Sequence, residues 1–278
     1  MTGLGVHLAR LAIVAEPQDL GQYYQQLAGA LRPVWTSNWI RVTSYLRLRR
    51  SRTLLACFLL SSILLATFSH IDLGIAALFY DGGFYMARQG WARALHGSIP
   101  WFIIGTLVAV AGIYVFNRLA RRDLLGIDGR KLVYLLLVLV LGAGLVVNAI
   151  LKDNFGRARP RDVEEFGGTL QFTPAFVVSS ECDYNCSFAS GDAAGAFFGL
   201  AFVLASSRRR AASAAGIGFG VLVSVARIAS GAHWFSDTVV SFFVMLIVAD
   251  TLHYQMFMFS PAAVEAVSEV GPAVLVEP

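Results

Sequence analysis

Leu-Val-Tyr-Leu-Leu-Leu-Val-Leu-Val-Leu-Gly-Ala-Gly-Leu-Val-Val-Asn-Ala-Ile-Leu, residues Leu132 to Leu151, holds no charged side chain. A helix needs about 20 mostly apolar residues to cross a bilayer, and inside lipid a helix satisfies its own backbone hydrogen bonds. This stretch predicts a transmembrane helix. Arg130 and Lys131 stand immediately before it and Lys152 immediately after, so charge bounds it at both ends.

Two further apolar runs lie upstream, Thr53 to Ser69 and Pro100 to Asn117. Three lie downstream: Phe188 to Ser207 with Asp192 near its start, Ala211 to Ala226, and Phe235 to Met258 with Asp250 inside it. The composition agrees. Of 278 residues, 56% are hydrophobic and 14% charged, against about 45–50% and 25% in soluble domains. The sequence predicts an all-α fold, an integral membrane bundle of six transmembrane helices. Residues 51–259 are the expected membrane domain. Residues 1–50 read as a cytoplasmic or interfacial segment without the order of a cleavable signal peptide, and residues 260–278 read as a flexible tail.

The net charge of +4 does not point to nucleic acid, which needs a basic stripe on a polar surface. Most bases sit at the ends of apolar runs. Arg41, Arg47, Arg49, Arg50 and Arg52 precede the first run, Arg118, Arg121, Arg122, Arg130 and Lys131 follow the second, and Arg208, Arg209 and Arg210 follow the fourth. These segments alternate so as to share one side. The positive-inside rule makes that side the cytoplasm and puts both termini there. The long loop after the third run then faces outward.

Ionisable residues at a membrane edge are functional candidates, and three groups lie at the outward ends of the runs. The first is Lys152-Asp-Asn-Phe-Gly-Arg157-Ala-Arg159-Pro160. Arginine forks bidentately onto phosphate and lysine adds a point charge; an interfacial anchor uses the same residues. The second is Ser187-Phe-Ala-Ser190-Gly191-Asp192, opening the fourth run. A helix start presents unpaired N–H groups to an anion, and Ser190 or Asp192 would equally serve as an N-cap. The third is Arg227-Ile-Ala-Ser-Gly-Ala-His233-Trp-Phe-Ser-Asp237. On a helix, His233 and Asp237 would share a face. A carboxylate on one imidazole nitrogen would leave the other free to attack. Topology brings the three groups to one outer face, as a phosphate site with a nucleophile.

The pattern Lys152-x6-Arg159-Pro160, Ser190-Gly191, Arg227-x5-His233-x3-Asp237 resembles the type-2 phosphatidic acid phosphatase superfamily, in its membrane lipid phosphatase branch, from about residue 50 to 258. The resemblance implies a metal-independent hydrolase with no cofactor. Lys152, Arg159 and Arg227 would hold the phosphate with the Ser190 and Gly191 backbone. His233 would form a phosphohistidine, oriented by Asp237. The family's second motif usually reads Pro-Ser-Gly-His and its third has Ser before the arginine; here Ala189, Asp192 and Ala226 stand instead. The usual histidine protonates the leaving group. Three readings of Asp192 stay open: it is that acid, the proton comes from elsewhere, or the protein binds lipid phosphates without catalysis.

The expected location is a bacterial inner (plasma) membrane, multi-pass, with the active site facing the periplasm. The substrate would be a phosphate on a membrane lipid in the bilayer. Cys182-x3-Cys186-Ser-Phe and Phe166-Gly167-Gly168 look like the lipid A phosphatase branch; undecaprenyl pyrophosphate and phosphatidylglycerol phosphate are the alternatives. Of the three cysteines, Cys57 lies in an apolar run. Cys182 and Cys186 are candidates for a disulfide in an oxidising compartment; free thiols, or a metal site that nothing nearby completes, remain open.

Overall fold

The computed structural model describes residues 41–205 and 209–259. The expected segment before residue 41, the tail from residue 260 and Arg208 of the arginine turn lie outside the described residues, as do the side chains of Arg209 and Arg210. Residues Arg49–Phe259 form one compact unit. The other unit, Met1–Leu48 with Ser260–Pro278, contributes only residues 41–48 to the description, and these are helical over 41–47.

Helix α1 spans Arg49–Thr67 and α2 spans His70–Ala77. Helix α3 spans Gly90–Ala120 and contains Pro100. Helix α4 begins at Gly129, where Asp128 Oδ1 accepts from the Lys131 N–H at 2.8 Å, and runs to Val138. It continues as a π-helix over Leu139–Lys152. Helices α5 (Gly191–Phe197), α6 (Gly199–Ala205) and α7 (Arg209–Ala229) follow a long connecting loop. Helix α8 (Phe235–His253) ends in a π-turn over Tyr254–Met258. No strand occurs among the described residues, only the isolated bridges Tyr80–Phe84 and Val163–Leu170.

Four segments are long and apolar enough to cross a membrane: Arg49–Thr67, Gly90–Ala120, Gly129–Asp162 and Phe235–Met258. The fourth and fifth predicted runs appear as shorter apolar helices, Gly191–Phe202 and Ala214–Ala229. The chain is thus an all-helical membrane protein.

The packing suits lipid rather than water. Large apolar side chains face outward, including Leu59, Leu60 and Ile63 on α1 and Trp101, Ile104 and Val108 on α3. The interior is built from Tyr134, Leu135 and Val138 of α4, Phe197 and Phe198 near the end of α5, and Val240, Val244 and Met245 of α8. Glycines let these helices approach. A Cβ on Gly142 would stand 2.8 Å from the Met245 sulfur, and one on Gly220 would meet the Phe197 ring at 2.1 Å. Small residues at contacts are how membrane helices pack without a hydrophobic driving force between them.

Candidate active site

The three polar groups are stitched together by hydrogen bonds at the end of the bundle opposite the Arg130–Lys131 start of α4. The turn after α4 is held to both of the others. The Arg157 carbonyl accepts from the Ser187 N–H at 2.9 Å, and the Ala158 carbonyl accepts from Trp234 Nε1 at 2.9 Å. The Arg161 N–H donates to the Gly231 carbonyl at 3.0 Å.

His233 lies in the turn between α7 and α8, 1% exposed. Its Nδ1 is 2.8 Å from the Ser187 carbonyl oxygen. A carbonyl only accepts, so Nδ1 carries the proton and the Nε2 lone pair stays available. Burial holds the imidazole below its ordinary value of 6.5, Asp237 acts the other way, and the charges of Arg159 and Arg227 reinforce the lowering. A neutral imidazole beside two guanidinium groups is a nucleophile facing an anion site.

Asp237 is not the hydrogen-bond partner of that ring. Its Oδ2 stands 3.6 Å from His233 Nδ1, within ion-pair reach only. The sequence argument assumed one helix through both residues, but Gly231 takes φ +64° and the helix starts at Phe235. Asp237 therefore sits in the first turn of α8. Its Oδ2 accepts from the Trp234 N–H at 2.9 Å and from Ser187 Oγ at 2.5 Å. The same serine that holds His233 through its carbonyl is held by Asp237 through its hydroxyl.

Beneath this lies a charge cluster that sequence reasoning missed. Arg157 is fully buried. Its Nη1 donates to Asp237 Oδ1 at 2.6 Å and to Ser236 Oγ at 2.8 Å, its Nη2 to Asp72 Oδ2 at 2.8 Å, and its Nε to the Thr173 carbonyl at 2.8 Å. The guanidinium also lies over the rings of Trp234 and Phe172, 5.3 and 5.6 Å from their centroids. Asp72 Oδ1 accepts from the Ser236 N–H at 2.8 Å, which ties α2 to the start of α8. A carboxylate between two apolar runs was the available signal for Asp72.

The three cations identified in the sequence are all at this end. Lys152 Nζ donates to Asn185 Oδ1 at 3.1 Å, and Arg159 Nη2 donates to the Asn185 carbonyl at 2.6 Å. Asn185 sits inside the loop between Cys182 and Cys186, whose sulfurs are joined. A cavity of about 390 Å³ opens beside Arg159, Arg161, Tyr184 and Asn185.

Ser190 is the N-cap of α5. Its Oγ accepts from the Ala193 N–H at 3.3 Å, its N–H donates to the Asp237 carbonyl at 3.4 Å and its carbonyl accepts from Ser241 Oγ at 2.8 Å. Its groups are spent inside the protein, and Gly191 is the next residue of the turn, close to Lys152: a Cβ there would lie 3.6 Å from Nζ. Asp192 does not cap. Its Oδ2 faces Arg227 Nε at 2.8 Å and His96 Nδ1 of α3 at 3.2 Å. No spacing rule singles out His96, which lies almost a hundred residues upstream. Among the described residues, no group of three His, Cys, Asp or Glu side chains is placed to hold a metal ion.

Comparison with known proteins meets this geometry. Residues 132–261 match the PAP2 superfamily model. The chain is similar to the lipid A 4'-phosphatase of Francisella tularensis subsp. novicida (strain U112), 36% identical over 203 residues, covering 67% of this chain and 86% of that protein. It is also similar to the lipid A 4'-phosphatase of Rhizobium leguminosarum, 38% identical over 121 residues, covering 43% of this chain and 52% of that one. Among solved structures it shares its fold with a transmembrane PAP2 type phosphatidylglycerolphosphate phosphatase from Bacillus subtilis, with TM-score 0.50 and 17% identity over 77% of this chain and 100% of that chain. Likeness across most of a relative's length, joined to the family match over α4 to α8, makes this chain a member of the PAP2 superfamily.

Proposed function

We propose that this membrane protein is a lipid phosphatase that removes a phosphate from lipid A through a phosphohistidine on His233. The observation that carries the reading is the state of His233: buried, its Nδ1 proton spent on the Ser187 carbonyl, with the cations of three separate segments at the same end of the bundle. Lys152, Arg159 and Arg227 hold the phosphate oxygens, with the Ser190–Gly191 turn beside them. Phosphoryl transfer asks a protein mainly for positioning and charge neutralisation, and these residues supply both without a metal. Asp237 steadies the positive charge on His233 and fixes Ser187. Asp192 belongs to the side from which the leaving oxygen departs.

Residues 51–259 are the catalytic domain. It crosses a bacterial inner membrane six times with both termini in the cytoplasm and the site open to the periplasm. The basic residues Arg118, Arg121, Arg122, Arg130 and Lys131, at the far end of α3 and α4 from the site, support this orientation under the positive-inside rule. The names carried by the two relatives favour lipid A over undecaprenyl pyrophosphate and phosphatidylglycerol phosphate.

The test is phosphate release from lipid A by the purified full-length protein in detergent, with mass spectrometry to locate the phosphate lost. Turnover should persist in a chelator and vanish in His233→Ala. Loss in chelator, or a His233→Ala protein as active as wild type, removes the mechanism.

A further inference from the structure

We propose that His96 of α3 is the proton donor to the leaving oxygen and that Asp192 is its positioning residue. The inference rests on the phosphatase reading above and names the group that completes its chemistry.

The leaving oxygen of an alkyl or sugar phosphate is too basic to depart without a proton. Asp192 is poorly placed to deliver it. Arg227 Nε and His96 Nδ1 both stand within ion-pair distance of the same oxygen, Oδ2, at 2.8 and 3.2 Å, which places this carboxylate as a counter-ion rather than a proton donor. Its side chain is only 19% exposed, whereas that of His96 is 51% exposed. With Nδ1 beside the carboxylate, Nε2 of the more exposed His96 imidazole is the nitrogen left for proton transfer.

The contact is built into the packing of two helices. On α3, His96, Ile99 and Ile103 follow helical spacing; on α5, Asp192 and Gly195 do the same. Gly195 is a tight contact between them: a Cβ there would stand 3.0 Å from Ile103 Cδ1 and 3.1 Å from Ile99 Cγ2. Ile99 is buried in one cluster with Ala196 and Val223. The absence of a side chain at Gly195 lets α3 come in far enough for His96 to reach Asp192.

The steps balance. His233 Nε2 attacks phosphorus, the P–O bond to the lipid breaks, and the departing oxygen takes the Nε2 proton of the His96 imidazolium. Water then attacks the phosphohistidine, the P–N bond breaks with its electron pair returning to His233, and the water proton passes to His96. One ester and one water become one lipid hydroxyl and one phosphate, with both histidines restored.

The experiment uses the full-length protein in detergent and two esters. Lipid A leaves as a sugar hydroxyl; 4-nitrophenyl phosphate leaves as a phenolate that needs no proton. His96→Gln is expected to lower kcat on lipid A by about 10²–10⁴-fold, at least about tenfold more than on the aryl ester. Asp192→Asn should shift in the same direction, and the double variant should be no worse than His96→Gln alone, as members of one unit behave. In His96→Gln, inhibition by inorganic phosphate should stay within about threefold of wild type, since Lys152, Arg159 and Arg227 keep their own partners. Lipid A turnover within about threefold of wild type in His96→Gln, equal losses on both esters, or phosphate inhibition lost in step with activity each overturns the assignment. A wild-type protein that hydrolyses neither ester refutes the phosphatase reading itself, a result that no His96 variant produces.

Discussion

Arg157 is the residue whose loss should be felt most widely. Arg157→Met keeps length and apolar bulk but removes four hydrogen bonds, to Asp72, Asp237, Ser236 and Thr173. Two carboxylates, 1% and 0% exposed, then share a buried site without their cation. Removing one partner of a buried pair costs about 3–5 kcal/mol. The two pairs share one cation, so their costs do not simply add. For a unit of this size about 1 kcal/mol corresponds to roughly 2–4 °C, which places the fall in Tm at about 6–20 °C. Arg157→Lys keeps the charge, but an ammonium cannot span acceptors on both carboxylates and the Thr173 carbonyl; its cost should be about 1–3 kcal/mol for the donors and acceptors left unpaired. Thermal unfolding followed by tryptophan fluorescence in detergent, with kcat measured on the same samples, gives the order wild type, lysine, methionine. A methionine variant that melts with wild type, or above the lysine variant, refutes the claim that this cluster holds the site together.

Three other outcomes follow. His233 attacks only when neutral and is held below 6.5, so kcat/KM should fall as pH drops and its acid limb should lie below that value; a midpoint at or above it in profiles from roughly pH 5 to 8 contradicts the assignment. Cys182→Ser with Cys186→Ser opens a loop of sequence separation 4 and should cost about 2 kcal/mol. It should also raise KM by about three- to tenfold, by freeing Asn185 from Lys152 and Arg159, since small misplacements of binding groups are costly; an unchanged KM removes Asn185 from the cradle. Gly231→Ala forces a side chain at φ +64° with its Cβ 2.4 Å from the Phe84 ring and should lower kcat/KM by at least about tenfold by shifting the His233 turn, read by steady-state kinetics.

Much of the site was legible because membrane topology constrains it. Alternating apolar runs put Lys152, Arg159, Asp192, Arg227 and His233 at one end of the bundle, and the structure keeps them there. Two kinds of information were not legible. The first is local backbone: period-based reasoning carried a helix through His233, where the Gly231 turn starts it two residues later and hands the imidazole to Ser187. The second is long-range partnership. Nothing in spacing tells that Asp72 reaches Ser236 across 164 positions or that His96 meets Asp192. Run length also read the fourth apolar run as one helix, whereas the stretch after Asp192 is divided between α5 and α6 at Phe198.

The Asp72 contact limits how the chain could be dissected. The segment that matches the family, residues 132–261, contains every motif residue and looks portable. Cut free, it would keep Arg157 and lose α2, one of the two acids that neutralise it, and with α3 it would lose His96. The recognisable motifs are therefore not a minimal enzyme. A graft or shortened version has to carry α1 to α3 as well, and searches that score only the three motifs will accept fragments that cannot assemble the site.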